Sequence, residues 1–145
     1  MKKMIATLII LIISLSTSGC KDETPNPNSI NRTWRVIKEQ VSGELKTLAP
    51  PPDNSLYSDI SITIPDLQIG KITGNTFRNN IGADFELSND NQITFKNYGG
   101  SRISEDSWGA AFSENLLSTV RYEFSEKELH FIDSEDRTIL VFIEK

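Results

Sequence analysis

Few residues in this chain are of types that do acid–base or covalent chemistry. There is one cysteine, Cys20, and one histidine, His130. His130 lies between Leu129 and Phe131, so on a two-faced strand it points away from both, toward solvent. One histidine can serve a Ser-His-Asp triad, but no serine here sits in a nucleophile-elbow pattern, and His130 is expected to be a plain strand residue. The densest acidic group is Asp133-x-Glu135-Asp136. It offers oxygen ligands of the kind calcium takes, yet it lacks the alternating Asp/Asn run and distal Glu of an EF-hand loop, so an exposed turn is expected. Glu105-Asp106 beside Trp108 joins carboxylates to an aromatic ring, the combination with which glycosidases and lectins handle sugars. Acids at a helix start next to a packed tryptophan are the simpler reading. Gly99-Gly100 and Gly70-x3-Gly74 are too sparse for a phosphate loop and follow no βα unit. The expectation is a chain that is not an enzyme, with no catalytic, cofactor-binding or metal-ligating residues.

The elements that must position these residues are mostly short strands. From Thr33, Trp34 to Val41 is rich in β-formers, with Trp34, Val36 and Lys38 on one side. Ser42 to Ser58, with Gly43 and Pro50-Pro51-Pro52, has no period and is expected to be a long loop. Ile60, Ile62 and Ile64 alternate until Pro65; Ile69 to Thr73 follows, closed by Gly74-Asn75. Ala83, Phe85 and Leu87 alternate with polar residues, Asn89-Asp90-Asn91 turns the chain, and Ile93 and Phe95 resume. Tyr98-Gly99-Gly100-Ser101 is expected to break the pattern. Trp108, Phe112, Leu116 and Leu117 fall at helical spacing, which predicts one helix over 106–118 capped by Ser104 or Asp106. Three strands over 120–125, 128–133 and 138–144 close the chain as a meander. The last, Ile139-Leu140-Val141-Phe142-Ile143, is apolar on both sides and is expected to be covered on both faces. The predicted fold is mainly β: an antiparallel curled sheet or incomplete barrel with one short helix. Trp34, Phe85, Phe95, Trp108, Phe112, Tyr122 and Phe124 are its expected core aromatics.

The opening, MKKMIATLIILIISLSTSGC, has a different character. Lys2 and Lys3 precede an apolar run of eleven residues, Ile5 to Leu15, interrupted only by Thr7 and Ser14. That suits a signal-peptide core and falls short of the ~20 residues a membrane-spanning helix needs. Thr17-Ser18-Gly19-Cys20 resembles a lipobox, with Thr17 where leucine is usual. Residues 1–19 are thus expected to be a lipoprotein signal peptide and Cys20 the lipidated (diacylglycerol- and palmitate-bearing) residue. Lys21-Asp22-Glu23 resembles the export signal of surface lipoproteins of the Bacteroidetes. The expected address is the cell envelope, with the chain anchored to the outer membrane and either displayed at the surface, as that charge pattern suggests, or facing the periplasm. Residues 20–32, polar and with two prolines, are the expected tether, and 33–145 the folded domain.

Composition sets outer bounds. The 145 residues less the first 19 leave 126, with 13 Lys and Arg against 20 Asp and Glu, a net charge of −7. That balance disfavours nucleic acid and anionic headgroups as partners. With Cys20 consumed by lipid, no disulfide, thiol nucleophile or cysteine-held zinc is expected.

One family resemblance follows from the central motif. Gly74-x4-Asn79-Asn80-x-Gly82-x2-Phe85-x5-Asn91-x-Ile93-x-Phe95 resembles the META domain, the HslJ-like family of small envelope proteins. Trp34 matches the family's first-strand tryptophan, Ser107-Trp108-Gly109-x2-Phe112-x3-Leu116 its helix, and Leu129-x-Phe131 with Leu140-x-Phe142 its closing hairpin. The family's Gly-Cys before the asparagine is Phe77-Arg78 here, and its Thr-x-Met is Ser101-Arg102-Ile103. The resemblance implies a non-catalytic domain in stress resistance, envelope maintenance or binding, and it carries over no catalytic residues. A lipocalin-like carrier of a small apolar ligand is the alternative, since that fold also opens on a tryptophan strand. The expected partners are the membrane, through lipid on Cys20, and a protein or small apolar ligand.

Overall fold

A computed structural model describes residues 27–48, 58–66, 68–76, 78–101, 103–125 and 127–145. Nine strands form one antiparallel sheet: β1 (Thr33–Val41), β2 (Glu44–Thr47), β3 (Asp59–Asp66), β4 (Ile69–Asn75), β5 (Asn80–Leu87), β6 (Ile93–Gly100), β7 (Arg121–Ser125), β8 (Glu128–Ile132) and β9 (Thr138–Glu144). Among the described residues one α-helix, α1 (Ser107–Ser118), joins β6 to β7. The strand order is β6-β5-β4-β3-β1-β9-β8-β7, with β2 paired to β1. The sheet curls until its two edges meet at one point, where Gln92 bridges Arg121 and the Ile93 N–H donates to the Val120 carbonyl at 2.9 Å. The product is a half-barrel with a seam between β6 and β7. Among the described residues no helix is long and apolar enough to cross a membrane.

The interior is filled by rings from five elements. Phe85 of β5 packs on Phe95 of β6 at 5.9 Å, Phe95 on Phe131 of β8 at 6.0 Å, Phe131 on Phe142 of β9 at 5.1 Å, and Phe142 on Phe112 of α1 at 6.4 Å. Gly70, directly opposite Phe85, is glycine for room, since a Cβ there would lie 2.1 Å from the Phe85 ring. The folded part begins earlier than Thr33. A 3₁₀ turn at Pro27–Ile30 buries Ile30 fully, and its carbonyl accepts the Trp34 indole N–H at 2.9 Å. Ile139, Leu140, Val141 and Phe142 are all buried, as expected of a strand covered on both faces.

Several sequence expectations need correction. The stretch 42–58 is not all loop: Ser42 and Gly43, both at positive φ, make a two-residue hairpin turn, and β2 follows. Every residue of β2 is exposed, so it has no apolar alternation to betray it. Pro50-Pro51-Pro52 lies outside the described residues. Tyr98-Gly99-Gly100 does not break the sheet: β6 runs to Gly100, with Gly99 opposite Gly82 and Gly100 opposite Ile81. The alternation in β1 also fails after Val36. The register shifts between Val36 and Lys38, so Ile37 and Lys38 share the space opposite Val141 and the next residue, Glu39, stands opposite Leu140. Lys38 is therefore exposed and Glu39 buried, the reverse of a strict alternation from Trp34. Phe95 and Phe124 pack against the core but are only partly buried.

Candidate functional site

The residues weighed for chemistry fall into three places, and most are bound into local structure. His130 is partly exposed, and its Nε2 lies 2.8 Å from the Glu128 carboxylate on the same strand. Asp133 holds the β8–β9 turn: its Oδ1 accepts the backbone N–H groups of Glu135 and Arg137, and its Oδ2 accepts Nε and Nη2 of Arg137 at 2.9 and 2.7 Å. Burial pushes the Asp133 carboxyl up, but these bonds outweigh it and leave it below the usual carboxylate range. The cluster Asp133-x-Glu135-Asp136 is a turn, and among the described residues no His, Cys, Asp and Glu group is arranged to hold a metal ion. Cys20 lies outside the described residues.

The third place is the start of α1. Asp106 caps it: its Oδ1 accepts the Trp108 and Gly109 N–H groups at 3.1 and 2.9 Å. Glu105 turns the other way. Its Oε1 accepts from the Thr76 hydroxyl and the Asn79 amide, and its Oε2 is buried without a hydrogen bond. Gly109 leaves room for that carboxylate, since a Cβ there would lie 2.0 Å from Oε2. The two acids therefore do not form a convergent pair. Trp108 is half-exposed rather than packed: the buried residues of α1 are Gly109, Phe112, Asn115 and Leu116. Its angular position suits the inner stripe, but it belongs to the first turn, where Glu105 has taken the space over Gly109.

Asn79, from the turn that carries the family resemblance, is the hub of this region. Its Oδ1 accepts from the Ser101 hydroxyl and the Ile103 N–H, and its Nδ2 donates to the Ile103 carbonyl and to Glu105. It thereby clasps the β4–β5 turn to the segment leading into α1. Further along the helix, Asn115 Nδ2 donates to the Gln40 carbonyl at 2.8 Å, and the Tyr98 hydroxyl meets Ser113 Oγ at 2.7 Å. The helix is thus stitched across the end of the half-barrel.

Sequence reasoning missed the acid beneath it. Glu39 shares the inner face of the sheet with its cross-strand neighbour Leu140, is fully buried, and has no hydrogen bond at either carboxyl oxygen. Burial, with the Asp106 carboxylate adding repulsion, pushes its pKa up to about 8. The missed signal was an acid one residue after a place where the apolar alternation lapses.

A shallow groove runs along the seam. It encloses about 510 Å³ and is walled by Ile93 and Phe95 of β6, Leu117 at the end of α1, Val120 and Arg121. It is open to solvent, and Leu117 and Val120 are exposed large apolar residues.

Fold and site together define a small antiparallel half-barrel with a helix seated across it. No family model matches the chain, and no curated protein matches its sequence. Solved structures with this fold include an NMR structure of a protein from Burkholderia xenovorans, at TM-score 0.61 and 17% identity over 83% of this chain and 88% of that one. They also include the crystal structure of a DUF4847 family protein from Bacteroides vulgatus ATCC 8482, at TM-score 0.59 and 15% identity over 80% and 94% of the respective chains. At these identities the likeness is one of fold.

Proposed function

We propose that this chain is a lipid-anchored envelope protein whose β domain works without catalysis, as a structural or protein-binding module of the META-like kind. The anchor rests on the signal-like run and Cys20. The non-catalytic reading is supported chiefly by how the reactive side chains are used. Asp133 fixes a turn, Asp106 a helix cap, and Glu105 a loop clasp, so each has a structural task. An interior occupied by five phenylalanine rings in edge-to-face and tilted contact also supports contact through the surface rather than enclosure of a guest. The test is fractionation of wild type and Cys20→Ala. Wild type should partition into detergent and carry acyl chains, and the variant should do neither. A variant that still fractionates with membranes overturns the anchor.

One observation favours the carrier alternative. The seam groove, at about 510 Å³, exceeds the ~300 Å³ a small ligand needs. Titration with a fluorescent fatty acid separates the two readings. Micromolar binding that Leu117→Glu abolishes would establish the carrier, and no binding leaves the surface module.

A further inference from the structure

We propose that α1 is a pH-dependent latch on the half-barrel, seated while the Glu39 carboxyl beneath it is protonated and released when that carboxyl ionises. The geometry requires two things, and both are present. The first is a titratable group that the closed state cannot solvate. Glu39 is turned inward by the Val36–Lys38 register shift, is fully buried, and has neither oxygen hydrogen-bonded. A carboxylate in such a place has lost its water and gained no donor, so its charge is tolerated only if the cover moves. The second is a cover that is not itself part of the sheet. α1 is bounded by a non-strand segment before it and by Thr119 and Val120 after it, and it is held by the buried side chains of Phe112 and Leu116 and by the side-chain bonds of Asn115 to Gln40, Tyr98 to Ser113, and Glu105 to Thr76 and Asn79.

The charged groups around Glu39 do not relieve it. From α1 the near charge is the capping carboxylate of Asp106, which repels. From β9 its neighbour is Leu140, which has no charge. From β2 its cross-strand neighbour is Lys46, which is exposed and paired with Glu44 at 3.7 Å. On β1 itself, Lys38 is exposed on the other face. Ionisation therefore favours any state in which α1 has lifted and water reaches the carboxyl. Between the ordinary glutamate value near 4.5 and the buried value of about 8, each pH unit shifts the closed–open balance about tenfold toward open, and above that range it levels off.

Amide hydrogen exchange on the full chain in detergent tests this, with rates corrected for the intrinsic pH dependence of exchange. In wild type the protection of α1 should fall about tenfold per pH unit from pH 5 to about 8, and at pH 8 it should lie at least tenfold below that of β9. In Glu39→Gln it should be independent of pH. The latch is overturned if α1 protection in wild type is flat, if the Gln variant falls in the same way, or if α1 and β9 exchange together. Should the variant fail to fold, the Glu39 carboxyl ¹³C signal of wild type decides. A raised midpoint that the α1 amide signals follow and the β9 signals do not supports the latch, and a midpoint near 4.5, or α1 signals that do not follow the carboxyl, overturns it.

Discussion

A single extra residue in β1 decides which charge enters the core. Read by strict alternation, Trp34, Val36 and Lys38 share a face, and nothing in the residue types announces the shift that exposes Lys38 and buries Glu39. Bulges depend on how two strands fit, so the event is written in the pairing of β1 with β9 rather than in β1 alone. The consequence for stability has a definite sign. A carboxyl whose folded-state pKa is raised to about 8 favours the folded state fully below about 4.5 and loses that contribution as pH rises through 8. Asp59 and Asp133 are opposed by burial but held low by their Arg35, Lys145 and Arg137 partners, so their effects fall at acid pH, below their ordinary value of 3.8. The urea midpoint should therefore drop between pH 5 and 8, by stability on the order of 4 kcal/mol, and Glu39→Gln should remove most of that slope. Equal wild-type midpoints at the two pH values would contradict an unpaired, buried Glu39. Phe112 was legible from its helical spacing, and it is fully buried against Phe142. Phe112→Ala should cost about 3–5 kcal/mol by chemical denaturation, and a loss below 1 kcal/mol would place the ring outside the core.

At the scale of elements, the helix and the strands with clean alternation could be read directly. The predicted helix 106–118 is observed as Ser107–Ser118 with Asp106 as its cap, because an acid before an apolar stripe is a local signal that needs no tertiary context. Asp106→Ala should cost about 1 kcal/mol, with the loss seen first in α1 amide protection. The clasp before the helix was not legible as a device. Asn79 was noted for its place in a turn, but its four side-chain bonds to residues 101–105 join segments more than twenty positions apart. Asn79→Ala leaves the Ile103 N–H without its acceptor, and should destabilise by about 2–3 kcal/mol and raise exchange in both α1 and the β4–β5 turn. An effect confined to one of these would mean that the two are not joined. β2 and the tail of β6 were missed for a common reason. Exposed or glycine-rich strands carry no burial pattern, and only their partners reveal them.

For the whole molecule, the fold class could be argued from a succession of short alternating segments with turns between them, and the half-barrel bears this out. The order of strands could not, because it depends on β1 leaving β3 after three residue pairs to take β2 as its neighbour, while β9 lies along its other side. That order has a consequence for how the chain can be divided. Strands β1 to β6 form one run of neighbours and β7 to β9 another. In backbone pairing they are joined by the β1–β9 ladder and, at the seam, by the contact of Gln92 and Ile93 with Val120 and Arg121. A cut in the segment between Gly100 and Ser107 would sever no strand. The second fragment would carry α1 and the buried faces of Leu129, Phe131, Leu140 and Phe142 into a vacant place beside β1. The two pieces, each insoluble or unfolded when made separately, should reassemble when produced together and give the β-sheet circular dichroism of the intact protein. A cut inside β9 should yield fragments that do not complement.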